Sequence, residues 1–161
     1  MTATTYLLMG TNLGNRVNNL QKAIQALKNI GEITGLSSIY ETEPWGLSSQ
    51  PSFLNQAIIL ETTLLPSDLL SALKRIEKEL GRTPAEQWSS RLIDIDILIY
   101  GTQEINSKEL IIPHPRMAER KFALIPLCEL NQGLVVPGMN VSVQQLLDRC
   151  LDTLSVFKTE L

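Results

Sequence analysis

The stretch that decides the fold spans residues 88–100 and reads Trp88-Ser89-Ser90-Arg91-Leu92-Ile93-Asp94-Ile95-Asp96-Ile97-Leu98-Ile99-Tyr100. From Ile93 onward the odd positions are isoleucine, whereas the even positions begin with Asp94 and Asp96. Because side chains alternate between the two faces of a strand, this pattern predicts a β-strand with both aspartates on one face. Leu98 and Tyr100 are expected to continue that face. The apolar content of the strand favours a central position in its sheet.

The paired carboxylates are a candidate metal site. Side chains two apart on one strand face lie about 7 Å from each other, so Asp94 and Asp96 can share one divalent cation or a pair of them. Hard oxygen ligands suit Mg²⁺, with phosphate oxygens completing its shell. The alternative is that both aspartates lie on the solvated face of an edge strand. Arg91 directly before the strand, with Leu98 and Tyr100 on the aspartate face, favours the metal site.

Composition narrows the class of protein. A chain of 161 residues with 43% hydrophobic residues suits one domain over residues 1–161. The net charge of -3 disfavours nucleic-acid binding, which requires a basic surface. Cys128 and Cys150 lie in apolar surroundings and are interpreted as small core residues in a reducing compartment. With no signal-peptide or membrane-span pattern, we expect a cytoplasmic monomer that does not bind membranes.

The order of predicted elements indicates an α+β fold. An apolar strand enters a glycine-containing loop at 10–15, and a helix follows. This loop either holds a phosphate or forms ordinary turns, and the absence of a P-loop lysine favours turns. Strands are expected over 33–40 and 53–62, and a second helix capped by Ser67 precedes the aspartate strand. The order β-α-β-β-α-β predicts a ferredoxin-like core with an antiparallel sheet, and later helical patterns predict additional C-terminal helices.

Several polar residues outside the aspartate pair are candidates for function. His114 is the only histidine and lies between two prolines, which favour either a structural turn or a fixed direction for its ring. Arg82, Arg91 and Arg120 lie in irregular segments, where each alone would be interpreted as a surface charge. Together with two aspartates they form the set expected for phosphoryl transfer. Asn55, a polar residue in an apolar strand, requires a buried partner or a ligand.

Four separated blocks carry a resemblance to a known family. They are Leu8-Met9-Gly10-Thr11-Asn12-Leu13-Gly14, then Ser38-Ile39-Tyr40-Glu41-Thr42 leading to Gln50-Pro51-Ser52-Phe53-Leu54-Asn55-Gln56-Ala57, then Arg91 with Asp94-Ile95-Asp96-Ile97-Leu98, and Ile112-Pro113-His114-Pro115-Arg116-Met117 followed by Arg120 and Phe122. Over nearly its full length the chain resembles the 6-hydroxymethyl-7,8-dihydropterin pyrophosphokinases of folate biosynthesis. The resemblance implies Mg²⁺-dependent transfer of the terminal pyrophosphoryl group of ATP to the pterin's hydroxymethyl oxygen, which releases AMP.

The resemblance also implies roles for individual residues. Asp94 and Asp96 match the ligands of two Mg²⁺ ions, and with Arg82 and Arg91 they form the expected catalytic set. The positions that match pterin-binding residues are Thr42, Pro44, Trp45, Phe53, Asn55 and Phe122. The positions that match ATP-binding residues are Arg82, Trp88, Arg91, His114 and Arg120.

The segment before the aspartate strand departs from the family pattern. Pro84 stands where the family has a second arginine, Gln87 replaces a basic residue, and Ser89-Ser90 replaces Gly-Pro. The segment has therefore lost positive charge, so the alternative function is a catalytically impaired pterin- or nucleotide-binding module. A second alternative is a nucleic-acid binder that stacks bases on strand aromatics. An aromatic content of 5% and the acidic balance disfavour it.

Overall fold

The computed structural model describes residues 1–43, 51–81 and 92–161. In chain order its elements are β1 (Ala3–Thr11), α1 (Arg16–Leu27), β2 (Glu32–Leu36), β3 (Tyr40–Thr42), β4 (Phe53–Thr62), α2 (Pro66–Glu79), β5 (Asp94–Tyr100), β6 (Ile105–Asn106), β7 (Ile111–Ile112), a 3₁₀ turn (Met117–Glu119), α3 (Lys121–Asn131), β8 (Val135–Val136), β9 (Val141–Ser142), α4 (Val143–Arg149) and β10 (Val156–Lys158). Within these ranges no helix has the length and apolar content needed to cross a bilayer.

One sheet organises the described part of the chain. Its strands lie in the order β10-β3-β4-β1-β5, and β2 pairs with β4 beyond the end of β3. Each of these pairings is antiparallel. The predicted α+β class with an antiparallel sheet is confirmed, and α3 and α4 are the additional C-terminal helices.

Two hydrophobic cores cover the two faces of this sheet. The first is formed by α1 and α2 against the sheet residues Leu7, Met9, Leu54, Ile58, Leu60, Ile95 and Ile97. The second is formed by α3 and α4 against Tyr6, Leu8, Ala57, Leu98 and Ile99. Alternating residues of β1 and β4 thus enter different cores, as the two-residue period of a strand requires. We call the second surface the α3 face of the sheet.

The aspartate strand has the predicted alternation over its first half. Ile95 and Ile97 are buried in the first core, whereas Asp94 and Asp96 are half-buried on the α3 face. The prediction for Tyr100 is wrong, because β5 contains a bulge. Tyr6 pairs with Ile99 but Leu7 pairs with Ile97, so Leu98 is the extra residue and the strand changes face after it. Tyr100 therefore lies in the first core, where its hydroxyl donates to the carbonyl of Leu64 at 2.7 Å.

The prediction of a central position for this strand is also wrong. Among the described residues β5 is the outermost strand and pairs with β1 alone. Its apolar composition follows from the helices and turns that cover it. The Ile95 N–H donates to the buried carboxylate of Glu77 on α2 at 2.7 Å, and the Leu98 carbonyl accepts from the His114 N–H at 2.9 Å.

Two predicted boundaries differ in the structure. The strand expected over 33–40 is divided into β2 and β3, and a bulge falls between Ile33 and Gly35. A Cβ atom on Gly35 would lie 2.9 Å from the side chain of Ile59, so a larger residue at this bulge would have to displace that side chain. The helix expected to be capped by Ser67 instead begins at Pro66, after Leu65. Proline suits the first turn because its missing N–H has no intrahelical acceptor there.

Candidate active site

A row of paired residues crosses four strands on the α3 face. Tyr40 pairs with Asn55, Asn55 with Gly10, and Gly10 with Asp94. Directly opposed residues of antiparallel strands point to the same face. Asn55 and Asp94 therefore share one surface. Their Cα atoms lie two strand spacings, or about 10 Å, apart across the sheet. Gly10 has no side chain, so the surface between them stays open.

The side chain of Asn55 is held in one orientation. It is 4% exposed, its Nδ2 donates to the Met9 carbonyl at 3.4 Å, and its Oδ1 accepts from the Thr42 hydroxyl at 3.1 Å. Because a carbonyl can only accept, Nδ2 must face Met9, and Oδ1 must then face Thr42. These contacts fix which edge of the amide carries the donor.

Phe53 lies beside this amide. It pairs with Thr42 across β3 and β4 and is two residues from Asn55, so it shares the α3 face. A Cβ atom on Gly10 would lie 2.9 Å from Asn55 Nδ2 and 3.7 Å from Phe53 Cδ1. The amide and the ring therefore both lie against the open surface at Gly10.

Asp94 and Asp96 lie at the other end of this surface. Both are half-buried, and Asp96 pairs with Leu8 one strand inward. Among the described residues no group of three or more His, Cys, Asp or Glu side chains could hold a metal. Protein sites for Mg²⁺ often use one or two carboxylates, with water and substrate phosphates as the other ligands. The donor set of Asp94 and Asp96 fits that ion.

His114 is fixed in a turn against β5. Besides the bond from its N–H to Leu98, its Nδ1 accepts from the Arg116 N–H at 3.2 Å. Burial lowers the pKa of His114 to about 4; Arg120 and Arg116 act in the same direction, and Asp94 opposes them. The ring is therefore neutral at pH 7. Since Nδ1 accepts, the ring proton lies on Nε2, which can donate to a ligand.

Arg120 places a buried positive charge near the carboxylates. It is 8% exposed and directly precedes α3, and its guanidinium lies 5.5 Å from the centre of the Phe122 ring. Burial and Arg116 lower its pKa, whereas Asp96 and Asp94 raise it. The guanidinium stays charged at physiological pH. His114, Arg120 and Phe122 thus form one wall beside the aspartate pair.

The structure accordingly brings many of the candidate residues to one surface. Those on the described part of the chain are Thr42, Phe53, Asn55, Asp94, Asp96, His114, Arg120 and Phe122. Five candidates lie outside the described residues: Pro44, Trp45, Arg82, Trp88 and Arg91.

Sequence reasoning missed two residues of this surface. The sequence predicts a loop at Gly10, but β1 continues through it to Thr11. Its signal was a glycine inside an apolar strand pattern, which marks a close approach of other groups. Arg116 affects the pKa of both His114 and Arg120, and its signal was its place in the His114 block.

The loop after β1 shows turn and capping contacts, with Asn15 capping α1 and Gly14 at a φ of 66°.

Comparison with known proteins identifies the family. The 7,8-dihydro-6-hydroxymethylpterin-pyrophosphokinase (HPPK) family model matches residues 6–132. The chain is 42% identical over 135 residues to the 2-amino-4-hydroxy-6-hydroxymethyldihydropteridine pyrophosphokinase of Aquifex aeolicus, covering 84% of each chain. It is 42% identical over 142 residues to the enzyme of the same name from Bacillus subtilis, covering 87% of this chain and 85% of the relative.

A solved structure supports the fold independently. The crystal structure of Plasmodium falciparum HPPK-DHPS with pteroate has a TM-score of 0.76 and 16% sequence identity, covering 92% of this chain and 42% of that longer chain. At this identity the likeness concerns the fold alone. The family model and the two relatives define the activity class, which is that of a pyrophosphokinase. The chain belongs to the 7,8-dihydro-6-hydroxymethylpterin-pyrophosphokinase family.

Proposed function

We propose that the protein transfers pyrophosphate from ATP to the hydroxymethyl group of 6-hydroxymethyl-7,8-dihydropterin, with Mg²⁺, in folate biosynthesis. The single observation that carries this proposal is the row from Asn55 through Gly10 to Asp94. It would join a site for a planar polar ring at Asn55 to a site for a metal-bound phosphate at Asp94, about 10 Å away. The names of the relatives support the same substrate.

The Asn55 end of the surface suits the pterin. An amide offers two N–H donors and two oxygen lone pairs, so after the bonds to Met9 and Thr42 one of each remains for the pterin's amide edge. Phe53 and Phe122 are the proposed stacking residues, which would stabilise the ring by about 0.5 to 1.5 kcal/mol per pair beyond area burial. Thr42, Pro44 and Trp45 complete the proposed pterin-binding set.

The Asp94 end suits the triphosphate. Asp94 and Asp96 would hold two Mg²⁺ ions, which when bound supply positive charge to the phosphate oxygens. His114 can donate from Nε2 to a phosphate oxygen, and Arg120 adds a fixed positive charge beside it. Burial of Arg120 strengthens the attraction between its charge and a phosphate, because less water screens that interaction. Arg82, Trp88 and Arg91 complete the proposed ATP-binding set.

The proposed reaction exchanges one P–O bond for another. The pterin alcohol oxygen attacks the β-phosphorus of ATP, the bond from that phosphorus to the oxygen bridging it to the α-phosphorus breaks, and AMP departs with the bridging oxygen. The O–H bond of the alcohol also breaks, and its proton passes to solvent water. Arg82 and Arg91 are the proposed stabilisers of the charge that develops in this transition state, because phosphoryl transfer depends on positioning and electrostatic stabilisation.

We infer further that the core is ferredoxin-like and that residues 1–161 form one pyrophosphokinase domain. The strand order β5-β1-β4, followed by β2 and β3, supports the first inference. We also propose a monomer in the cytoplasm.

The test is product formation by the purified protein. With ATP, the pterin and Mg²⁺, we expect AMP and the pterin diphosphate in equal amounts, measured by mass spectrometry and a coupled AMP assay. Omitting the pterin or adding a chelator should abolish both products. If the protein binds the pterin but forms no AMP, the binding-module alternative replaces this proposal.

A further inference from the structure

Arg16, the first residue of α1, connects three segments. Its Nη1 donates to Glu41 Oε2 at 2.7 Å and to the Ser52 carbonyl at 3.0 Å. Glu41 directly precedes Thr42 on β3, and Ser52 directly precedes Phe53, the first residue of β4. Arg16 therefore contacts the residue before each of two proposed pterin contacts.

A side chain between β1 and α1 binds the carbonyl next to that of Ser52. Asn12 is 1% exposed, and its Nδ2 donates to the Pro51 carbonyl at 3.1 Å. The consecutive carbonyls of Pro51 and Ser52 lie directly before β4; the first accepts from Asn12 in the β1–α1 connection, and the second accepts from Arg16 at the start of α1. These bonds fix where β4 begins relative to β1.

Arg16 lies on the opposite side of β3 from the proposed pterin surface. Adjacent strand residues point to opposite faces, so Glu41 points away from the face that carries Tyr40 and Thr42. Arg16 and Glu41 instead line a separate cleft of about 440 Å³. Their side chains are 32% and 40% exposed, respectively. An ion pair with this exposure contributes little to folding stability.

We propose that Arg16 is a positioning residue for the pterin subsite, which acts through Thr42 and Phe53 without touching the substrate. This inference rests on the proposed function. The bonds of Arg16 hold β3 and the start of β4 so that the Thr42 hydroxyl meets Asn55 and the Phe53 ring lies against the surface at Gly10. Small misplacements of such groups have large effects on binding and rate.

The experiment compares Arg16→Ala, Arg16→Lys and the control Lys22→Ala in the full chain. Lys22 is exposed on the same helix, so Lys22→Ala removes one positive charge, as Arg16→Ala does. Calorimetry would measure Kd for 6-hydroxymethylpterin and, separately, for a nonhydrolysable ATP analogue with Mg²⁺. We expect Arg16→Ala to weaken pterin binding roughly tenfold, equivalent to about 1.4 kcal/mol. The affinity for the ATP analogue should change less than roughly twofold, and Lys22→Ala should match the wild type.

Arg16→Lys should recover part of the pterin affinity, because a lysine can still pair with Glu41. If Arg16→Ala does not fold, Glu41→Gln serves in its place, with an expected loss of roughly two- to fivefold in pterin affinity. Unchanged pterin affinity, or equal weakening of pterin and ATP analogue, would overturn the positioning role. If the wild type binds the pterin but forms no AMP, the proposed function fails, while the pterin-binding comparison still decides the role of Arg16.

Discussion

The Thr42 hydroxyl donates to Asn55 Oδ1 across β3 and β4 at 3.1 Å. Both residues are buried, at 2% and 4% exposure, so water cannot replace this bond. The bond holds the Asn55 oxygen on the β3 side and its amide nitrogen on the β1 side, beside Gly10. The order of donor and acceptor that a pterin would meet thus depends on a neighbouring side chain.

Thr42→Val should weaken pterin binding by roughly tenfold, because the Asn55 amide is then no longer held in one orientation and ordering it on binding costs about 0.5 to 1.5 kcal/mol. Thr42→Ser keeps the hydroxyl and serves as the control. Calorimetric titration with the pterin is the measurement. Equal affinities for the valine and serine variants would show that the orientation of Asn55 does not depend on Thr42.

Asp96→Asn should reduce pyrophosphoryl transfer by about 100-fold or more, because it removes a proposed metal ligand and with it several kcal/mol of charge stabilisation. The change keeps side-chain size at a half-buried position, so the thermal unfolding midpoint should shift little. Asp68→Asn, in the exposed first turn of α2, is the control. Activity of more than a few percent of wild type in excess Mg²⁺ would count against the metal role of the pair.

Gly10→Ala should impair the proposed pterin site by crowding. The added Cβ would lie 2.9 Å from Asn55 Nδ2, and relieving that contact moves Asn55 or β1 at a cost of about 1 to 3 kcal/mol. We expect a larger rise in KM for the pterin than in KM for ATP. Gly133→Ala is the matched control, since no atom lies within 4 Å of its added Cβ. Equal changes in both KM values would contradict this interpretation.

His114→Gln should alter how stability depends on pH. Burial lowers the pKa of His114 from 6.5 to about 4 in the folded chain, so between these values the unfolded chain binds more protons. The wild type therefore loses stability as pH falls from about 6.5 toward 4. The glutamine variant lacks this contribution. Urea unfolding should show that the free energy of unfolding falls less between pH 7.5 and pH 5 in the variant than in the wild type. An equal fall in both proteins would rule this explanation out.

The strand pattern was largely predictable because alternation is a local property. The isoleucine and aspartate faces of β5 follow from residue spacing alone, and so does the α+β class from the order of elements. The bulge at Leu98, which moves Tyr100 to the other core, depends on the register with β1 and leaves no mark in the strand's own sequence. The outermost position of β5 could not be predicted from its sequence either. Glu77 and the His114 turn cover this edge strand, which allows it to be apolar.

The residues of the candidate site could be predicted from the sequence where each had a local anomaly. Asn55 was a polar residue in an apolar strand, and Asp94 and Asp96 were charges in another. Gly10 had only the weaker signal of a glycine in an apolar strand, and Arg16 had none, because their importance comes from contacts with residues about 25 to 85 positions away. Those contacts exist only once the sheet has formed.

The bond from Ile95 to Glu77 has a consequence for self-association. Exposed strand borders tend to recruit further copies of a chain and so lead to aggregation. Here a helix carboxylate takes up one backbone donor that a recruited copy would use, and the His114 turn takes up one backbone acceptor. Among the described strands, β5 can therefore carry Asp94 and Asp96 at the edge of the sheet and still be a poor template for the addition of another copy of the chain.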